Sequence, residues 1–200
     1  MDGLPITSTQ RQHLDFLLAA HKLTHVIRLN RLLDGSRGET SAEHSWHLAL
    51  AAITLSRDAA PDVDLARVVT MLLIHDLPEV YAGDVPIYDE EARAAVAEAE
   101  AEAAERLFGK LPADQAREML ALWHEFERAE TADARFAKAI DRLQPLLLHC
   151  AGDGRVWAER GITVDQERRL MSVIETYWPA LGPVATALID DAYKRGLLAR

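Results

Sequence analysis

The sequence predicts an all-α bundle. Three observations point there. Alanine and leucine abound while aromatics make up 6% of the 200 residues, a bias towards helix formers and away from the residues that favour pleated sheets. Apolar residues recur at helical spacing in segment after segment. No stretch shows a convincing apolar–polar alternation of strand type.

The elements follow in chain order. Leu14, Leu17, Leu18 and the Lys22–Val26 segment continue one helical stripe from about Thr9 to Leu33. Asp34-Gly35-Ser36-Arg37-Gly38 reads as a loop. Thr40, with Glu43 three residues on, forms a capping box that opens a second helix through His44, His47, Leu48 and Ala51–Leu55 to about Arg57. Pro61-Asp62 breaks the chain, and Leu65, Val68, Val69, Leu72 and Leu73 make the apolar face of a third helix ending near Asp76. Pro78, Gly83 and Pro86 leave Leu77–Tyr88 as loop and short turns. Glu90–Phe108 is an acidic, alanine-rich helix with Gly109 at its end, its charges forming a solvated face or an oligomer rim. Leu111–Ala129, Thr131–Cys150, Val164–Trp178 and Pro183–Leu198 are the remaining helical patterns, with Gly152-Asp153-Gly154 ending the second of them. With no linker and no repeat, residues 1–200 read as one domain, long enough to bury a substantial core.

Charge and cysteine content narrow the function. The net charge of -10 argues against a nucleic-acid polymer as partner. A small anionic substrate then needs local positive charge from a metal or a few arginines. The one cysteine, Cys150, excludes an intrachain disulfide and a Cys-rich zinc site; it reads as a core thiol and fits a cytoplasmic setting. The start MDGLPITSTQRQHLDF lacks a basic stretch followed by an apolar run, and no apolar stretch is long enough to span a bilayer. The expectation is a chain without signal peptide or membrane anchor.

The chemistry sits in His75-Asp76, at the end of an apolar helix. A carboxylate on a buried helix is costly unless a metal or hydrogen bonds compensate, and imidazole with carboxylate suits borderline divalent metals. Taken alone, the pair equally well caps a helix and starts a turn. His44 one helix earlier and Asp141 on a helix downstream bring the potential ligands to four, from three helices.

This order and spacing resembles the HD-domain superfamily of metal phosphohydrolases. His75-Asp76-Leu77-Pro78-Glu79 through Asp84-Val85-Pro86 looks like the corresponding segment of bacterial 5′-deoxynucleotidases and their eukaryotic relatives. Glu43-His44-Ser45, the run from Leu111-Pro112 to Leu122-Trp123-His124-Glu125-Phe126-Glu127, and Phe136–Leu143 are similar too. The likeness covers about residues 10–150 and departs at Pro78 and at Leu29. It implies an HD-domain helical bundle, a homodimer, and hydrolysis of 5′-deoxynucleoside monophosphates. It implies His44, His75, Asp76 and Asp141 as ligands of one divalent ion: cobalt, manganese, magnesium, zinc or iron. Glu79 would orient or deprotonate the attacking water. Asp84 would bind the sugar hydroxyl or protonate the leaving oxygen. Arg28, near the end of the first helix, would clamp the phosphate with its fork of donors.

Other residues carry blander readings: Arg31 as surface, His47 as a packed histidine, His124 as a helix-face residue, Lys138 as a solvated lysine. Three rival functions stay open: a di-iron oxygenase, which resembles chains with a lysine where Glu79 stands and more histidines before the last aspartate; a phosphodiesterase on small cyclic nucleotides; and a metal-binding sensing module without turnover. Helices after residue 151 would complete the core or a dimer face.

Overall fold

Side-chain caps set the helix starts. Thr7 with Gln10 caps α1 (Ser8–Ala20) and Thr40 with Glu43 caps α2 (Ser41–Leu55), both as reciprocal capping boxes. Asp64 accepts from the backbone of Ala66 and Arg67 to open α3 (Leu65–Ile74). The short α4 (Glu79–Ala82) follows, then α5 (Glu90–Phe108), α6 (Ala113–Arg128) and α7 (Ala132–Ala151), the last capped by Thr131. After α8 (Arg155–Arg160), α9 (Val164–Tyr177) and α10 (Gly182–Lys194) complete the helices of the computed structural model, which describes residues 4–200. Short 3-10 turns occupy His21–His25, Ser56–Asp58 and Pro179–Leu181. The all-α expectation holds, with one exception.

That exception lies in the first segment. The continuous helix expected to Leu33 stops at Ala20, and Ile27–Arg31 is a strand, β1, paired antiparallel with β2 (Gly38–Thr40). Arg28 therefore stands on a strand and not on a helix. β-Branched Val26 and Ile27 disfavour helix continuation, and the Asp34 side chain accepts from Ser36 N at 2.9 Å to make the turn. Gly38 is required at the pairing: a Cβ there would lie 2.6 Å from Ile27 Cγ2 and 2.9 Å from the Arg28 carbonyl. The strand escapes a search for buried apolar alternation because its pattern is inverted. Asn30 is buried while Ile27 is 57% exposed. The sequence reading also passes over α8, which is bounded by Gly154 and Gly161, both left-handed.

Helix α7 is the spine. At 20 residues it runs about 30 Å. Its first half packs Phe136 and Ile140 against Leu48, Met71, Leu72 and Phe126 from α2, α3 and α6. Its second half packs Leu146 and Cys150 against Trp157, Met171, Ile174 and Ile189 from α8, α9 and α10. A fully buried Ile140 or Leu146 contributes about 1.5–3 kcal/mol through burial. Leu55 and Leu181 touch both clusters. A third cluster ties α1 to α5 and α6 through Ala19, Leu107, Phe108 and Trp123. Among the described residues no helix is long and apolar enough to cross a membrane.

Candidate active site

Four elements converge beside α7. Strand β1 presents Arg28, α2 presents His44, the end of α3 presents His75 and Asp76, and α7 presents Asp141. Each imidazole is fixed by its own Nδ1. His75 Nδ1–H donates to the Leu72 carbonyl at 2.9 Å. The Gln144 amide donates to Glu39 at 2.7 Å and towards His47 Nδ1 at 3.1 Å, so its oxygen is left to accept His44 Nδ1–H at 3.0 Å. Both Nε2 lone pairs then face inward, the tautomer in which a histidine serves as a metal ligand.

Both Nε2 atoms face carboxylates. His44 Nε2 lies 3.1 Å from Asp141 Oδ1, and His75 Nε2 lies 2.9 Å from Asp76 Oδ1 and 3.7 Å from Asp141 Oδ1. His44, His75 and Asp141 each offer a ligand atom within 4.8 Å of the others. Asp76 adjoins them, with Oδ2 3.9 Å from His44 Nε2. His75 Nε2 is buried and makes no hydrogen bond. Lone pairs of nitrogen and oxygen packed this closely repel unless a cation lies among them, so this donor set fits a divalent metal. The imidazoles respond oppositely. Burial, aided by Arg28, drives His44 down to about 4. Burial pulls His75 the same way, but Asp76 and Asp141 prevail and raise it to about 10: these carboxylates favour a positive charge at Nε2, whether from a proton or from a metal. Burial also opposes ionisation of Asp141, yet Arg142 at 3.0 Å and the imidazoles hold it well below the usual carboxylate range.

Arg28 is the hub on the open side. Its Nη1 donates to Asp76 Oδ2 at 2.8 Å and lies 3.4 Å from Asp84 and 3.8 Å from Glu79. Burial would lower its pKa, but Asp76, Asp84 and Glu79 raise it further, keeping it charged. Glu79 opens α4 and accepts from Ser41 Oγ at 2.6 Å; burial and the Asp76 charge push its carboxyl well up. Asp84 accepts the Leu29 backbone N–H and is also pushed up, by burial first. All seven residues singled out in the sequence thus meet in one place. Six of them, Arg28, His75, Asp76, Glu79, Asp84 and Asp141, line a cavity of about 210 Å³. His44 supports it from beneath, fully buried.

Several partners went unnoticed in the sequence. Glu39 is buried, lies 3.9 Å from Arg28 and 3.6 Å from His44, and burial lifts its pKa to about 7. Its position beside the Thr40 cap was the available signal. Gln144, one turn beyond Asp141, was legible by helical spacing. Arg142 was masked by its adjacency to the ligand candidate. The packed His47 is in fact half-buried and joins the site through Gln144. Lys138 is not solvated: 13% exposed, it pairs with Glu127 at 2.9 Å and lies over the Phe126 ring. Cys150 is buried in the core as expected.

The chain is similar to known proteins. The model of the HD domain matches residues 20–180. The chain is 28% identical over 138 residues to the human 5′-deoxynucleotidase HDDC2 and 30% identical over 138 residues to its counterpart from Bos taurus. Each match spans 68% of this chain and 66% of the relative, just under two thirds of the relative's length. A crystal structure of a predicted metal-dependent phosphohydrolase from Magnetospirillum magnetotacticum MS-1 superposes with a TM-score of 0.91 at 45% identity, covering 97% of this chain and 100% of that one.

Proposed function

This chain belongs to the HD domain family, and from that premise we propose that it is a metal-dependent phosphomonoesterase acting on 5′-deoxynucleoside monophosphates. The observation that carries the reading is the meeting of two imidazole Nε2 atoms and the Asp76 and Asp141 carboxylates beside the Arg28 guanidinium. The 5′-deoxynucleotidase relatives and the phosphohydrolase neighbour support the substrate class.

In this reading His44, His75, Asp76 and Asp141 hold one divalent ion: cobalt, manganese, magnesium, zinc or iron. Bound there, the ion supplies positive charge and Lewis acidity for attack by water on phosphorus. The chain's own groups do the rest. Arg28 orients the phosphate through a fork of donors, exchanging a carboxylate partner for a phosphate oxygen. Glu79, steadied by Ser41, accepts the proton of the attacking water. Asp84, raised towards neutrality, hydrogen-bonds the sugar or hands a proton to the departing oxygen. The buried walls exclude competing water and strengthen each of these interactions.

The test is phosphate release from 5′-mono-, 3′-mono- and cyclic nucleotides by chelator-stripped protein with each metal restored in turn. Metal-dependent release from 5′-deoxynucleotides, lost in Asp76→Ala and Glu79→Ala, is expected. Release from the cyclic substrates instead would move the reading to a phosphodiesterase. Two bound irons per chain would move it to an oxygenase. Metal uptake with no release from any substrate would leave a sensing module. The homodimer implied by the resemblance is read by light scattering on the same preparation.

A further inference from the structure

The cavity has a second polar end. Asn30, Tyr88, His149 and Glu167 line it together with the residues described above. Asn30 follows Arg28 by two residues on β1, and both line the cavity. His149 follows Asp141 by eight residues on α7, about 12 Å along the axis. The strand and the helix therefore run between the same two poles.

Hydrogen bonding at this end is complete but for two atoms. His149 Nε2–H donates to Asn30 Oδ1 at 3.0 Å, which leaves Nδ1 as an acceptor. The Trp157 indole N–H donates to Tyr88 Oη at 3.0 Å, and the Tyr88 hydroxyl donates to Glu167 Oε2 at 3.0 Å. Trp157 also lies near enough to Glu167 to favour its ionised form. Yet Glu167 Oε1 and His149 Nδ1 are buried without a hydrogen-bond partner. Each such orphan costs about 1–3 kcal/mol, and nothing in the chain offsets it. Ile87, Leu146 and Met171 give this part of the cavity apolar walls. Burial holds His149 down to about 4, so at neutral pH its Nδ1 accepts and cannot donate. Apolar faces with unfilled acceptors at the edge describe a slot for a flat, donor-bearing ring.

We propose that this end of the cavity is a nucleobase subsite in which His149 Nδ1 and Glu167 Oε1 accept the N–H groups of an exocyclic amine. Amino-bearing bases are then preferred to their oxo counterparts. The assignment rests on the nucleotide reading above, which puts the phosphate at Arg28. It also gives the C-terminal helices a role in recognition, since Glu167 comes from α9.

Deoxycytidine and deoxyuridine are the matched probes, differing in an amine against a carbonyl. Calorimetric titration of the wild-type protein with each free nucleoside needs neither phosphate nor turnover. Deoxycytidine is expected to bind at least about tenfold more tightly, the worth of one satisfied hydrogen bond at a buried acceptor. The preference should vanish in Glu167→Gln and in His149→Phe, which keeps a ring against Trp157. Equal or absent binding of the two nucleosides by wild-type protein overturns the subsite, as does a preference that survives both substitutions. A nucleoside preference without phosphate release from any monophosphate would instead sink the nucleotidase reading and leave the subsite standing.

Discussion

The two poles of the cavity solve the burial of polar groups in opposite ways. At the Arg28 pole, Glu39, Asp76, Glu79 and Asp84 crowd one arginine, Asp141 pairs with Arg142, and two imidazoles face carboxylates. Carboxylates outnumber the arginines there, and a divalent ion, as proposed above, would balance the excess. At the Glu167 pole, Tyr88, Trp157, Asn30 and His149 bond one another without needing a charge, and burial lifts the one carboxyl to about 7. Charge is unfinished at the first pole, hydrogen bonding at the second. The first is suited to chemistry on an ionic group, the second to reading a neutral edge.

The comparison can be broken most severely at the first pole. Asp141→Ala removes a ligand candidate and should lower metal affinity by more than about 100-fold, since outer partners of ligands alone reach that figure. Metal content measured after dialysis checks it, and full retention of metal would take Asp141 out of the ligand set. Gln144→Leu leaves every ligand candidate in place but releases the His44 tautomer. A weakening of about 10–100-fold is expected in the same assay.

At the second pole the expected effects are on stability and pH. Glu167 ionises at about 7 in the fold, above its ordinary 4.5, so the folded state holds its proton longer than the unfolded chain does. Its contribution is complete below about pH 4.5 and is lost as pH rises through about 7. Tyr88 and Cys150, the titratable groups coupled to it, are themselves pushed up and stay neutral across this window. Glu167→Gln should therefore raise stability at pH 8 by at most about 3 kcal/mol and flatten its pH dependence. Urea titrations of both proteins at pH 5 and pH 8 read the difference; a wild-type advantage at pH 8 would contradict it. The smallest effect belongs to neither pole. Thr40→Ala removes the cap of α2 and should cost about 1 kcal/mol while both poles keep their ligand preferences.

What was legible in the sequence follows the same division. The first pole advertises itself because a histidine and an aspartate at the end of an apolar helix are hard to place without a compensating ion. His44 and Asp141, on other helices, stood out through the resemblance of the whole pattern to HD-domain chains. Helix ends were legible where a side chain bonds the backbone, as at Thr40, and where a glycine closes the last turn, as at Gly109. Strand β1 was hidden because its buried face is polar, so the hydrophobic pattern speaks for the wrong side. The second pole was hidden because its members are scattered over β1, the segment before α5, α7 and α9, and none is unusual in its local sequence. Only long-range packing brings His149 and Glu167 together.

Arg28 and Asp141 lie far apart in the chain, and synthesis runs from one to the other. A nascent chain therefore exposes Arg28, Glu39, Asp76, Glu79 and Asp84 well before α7 exists, and the arginine can pair with those carboxylates while the ligand cluster is still short of Asp141. On the metal reading proposed above, Arg28 would act in that interval as an internal counter-ion that keeps the half-made site from competing for stray cations. Metal loading would then wait for the spine helix and be a late event in maturation. Metal capture by ribosome-bound chains halted before and after residue 141 would date it.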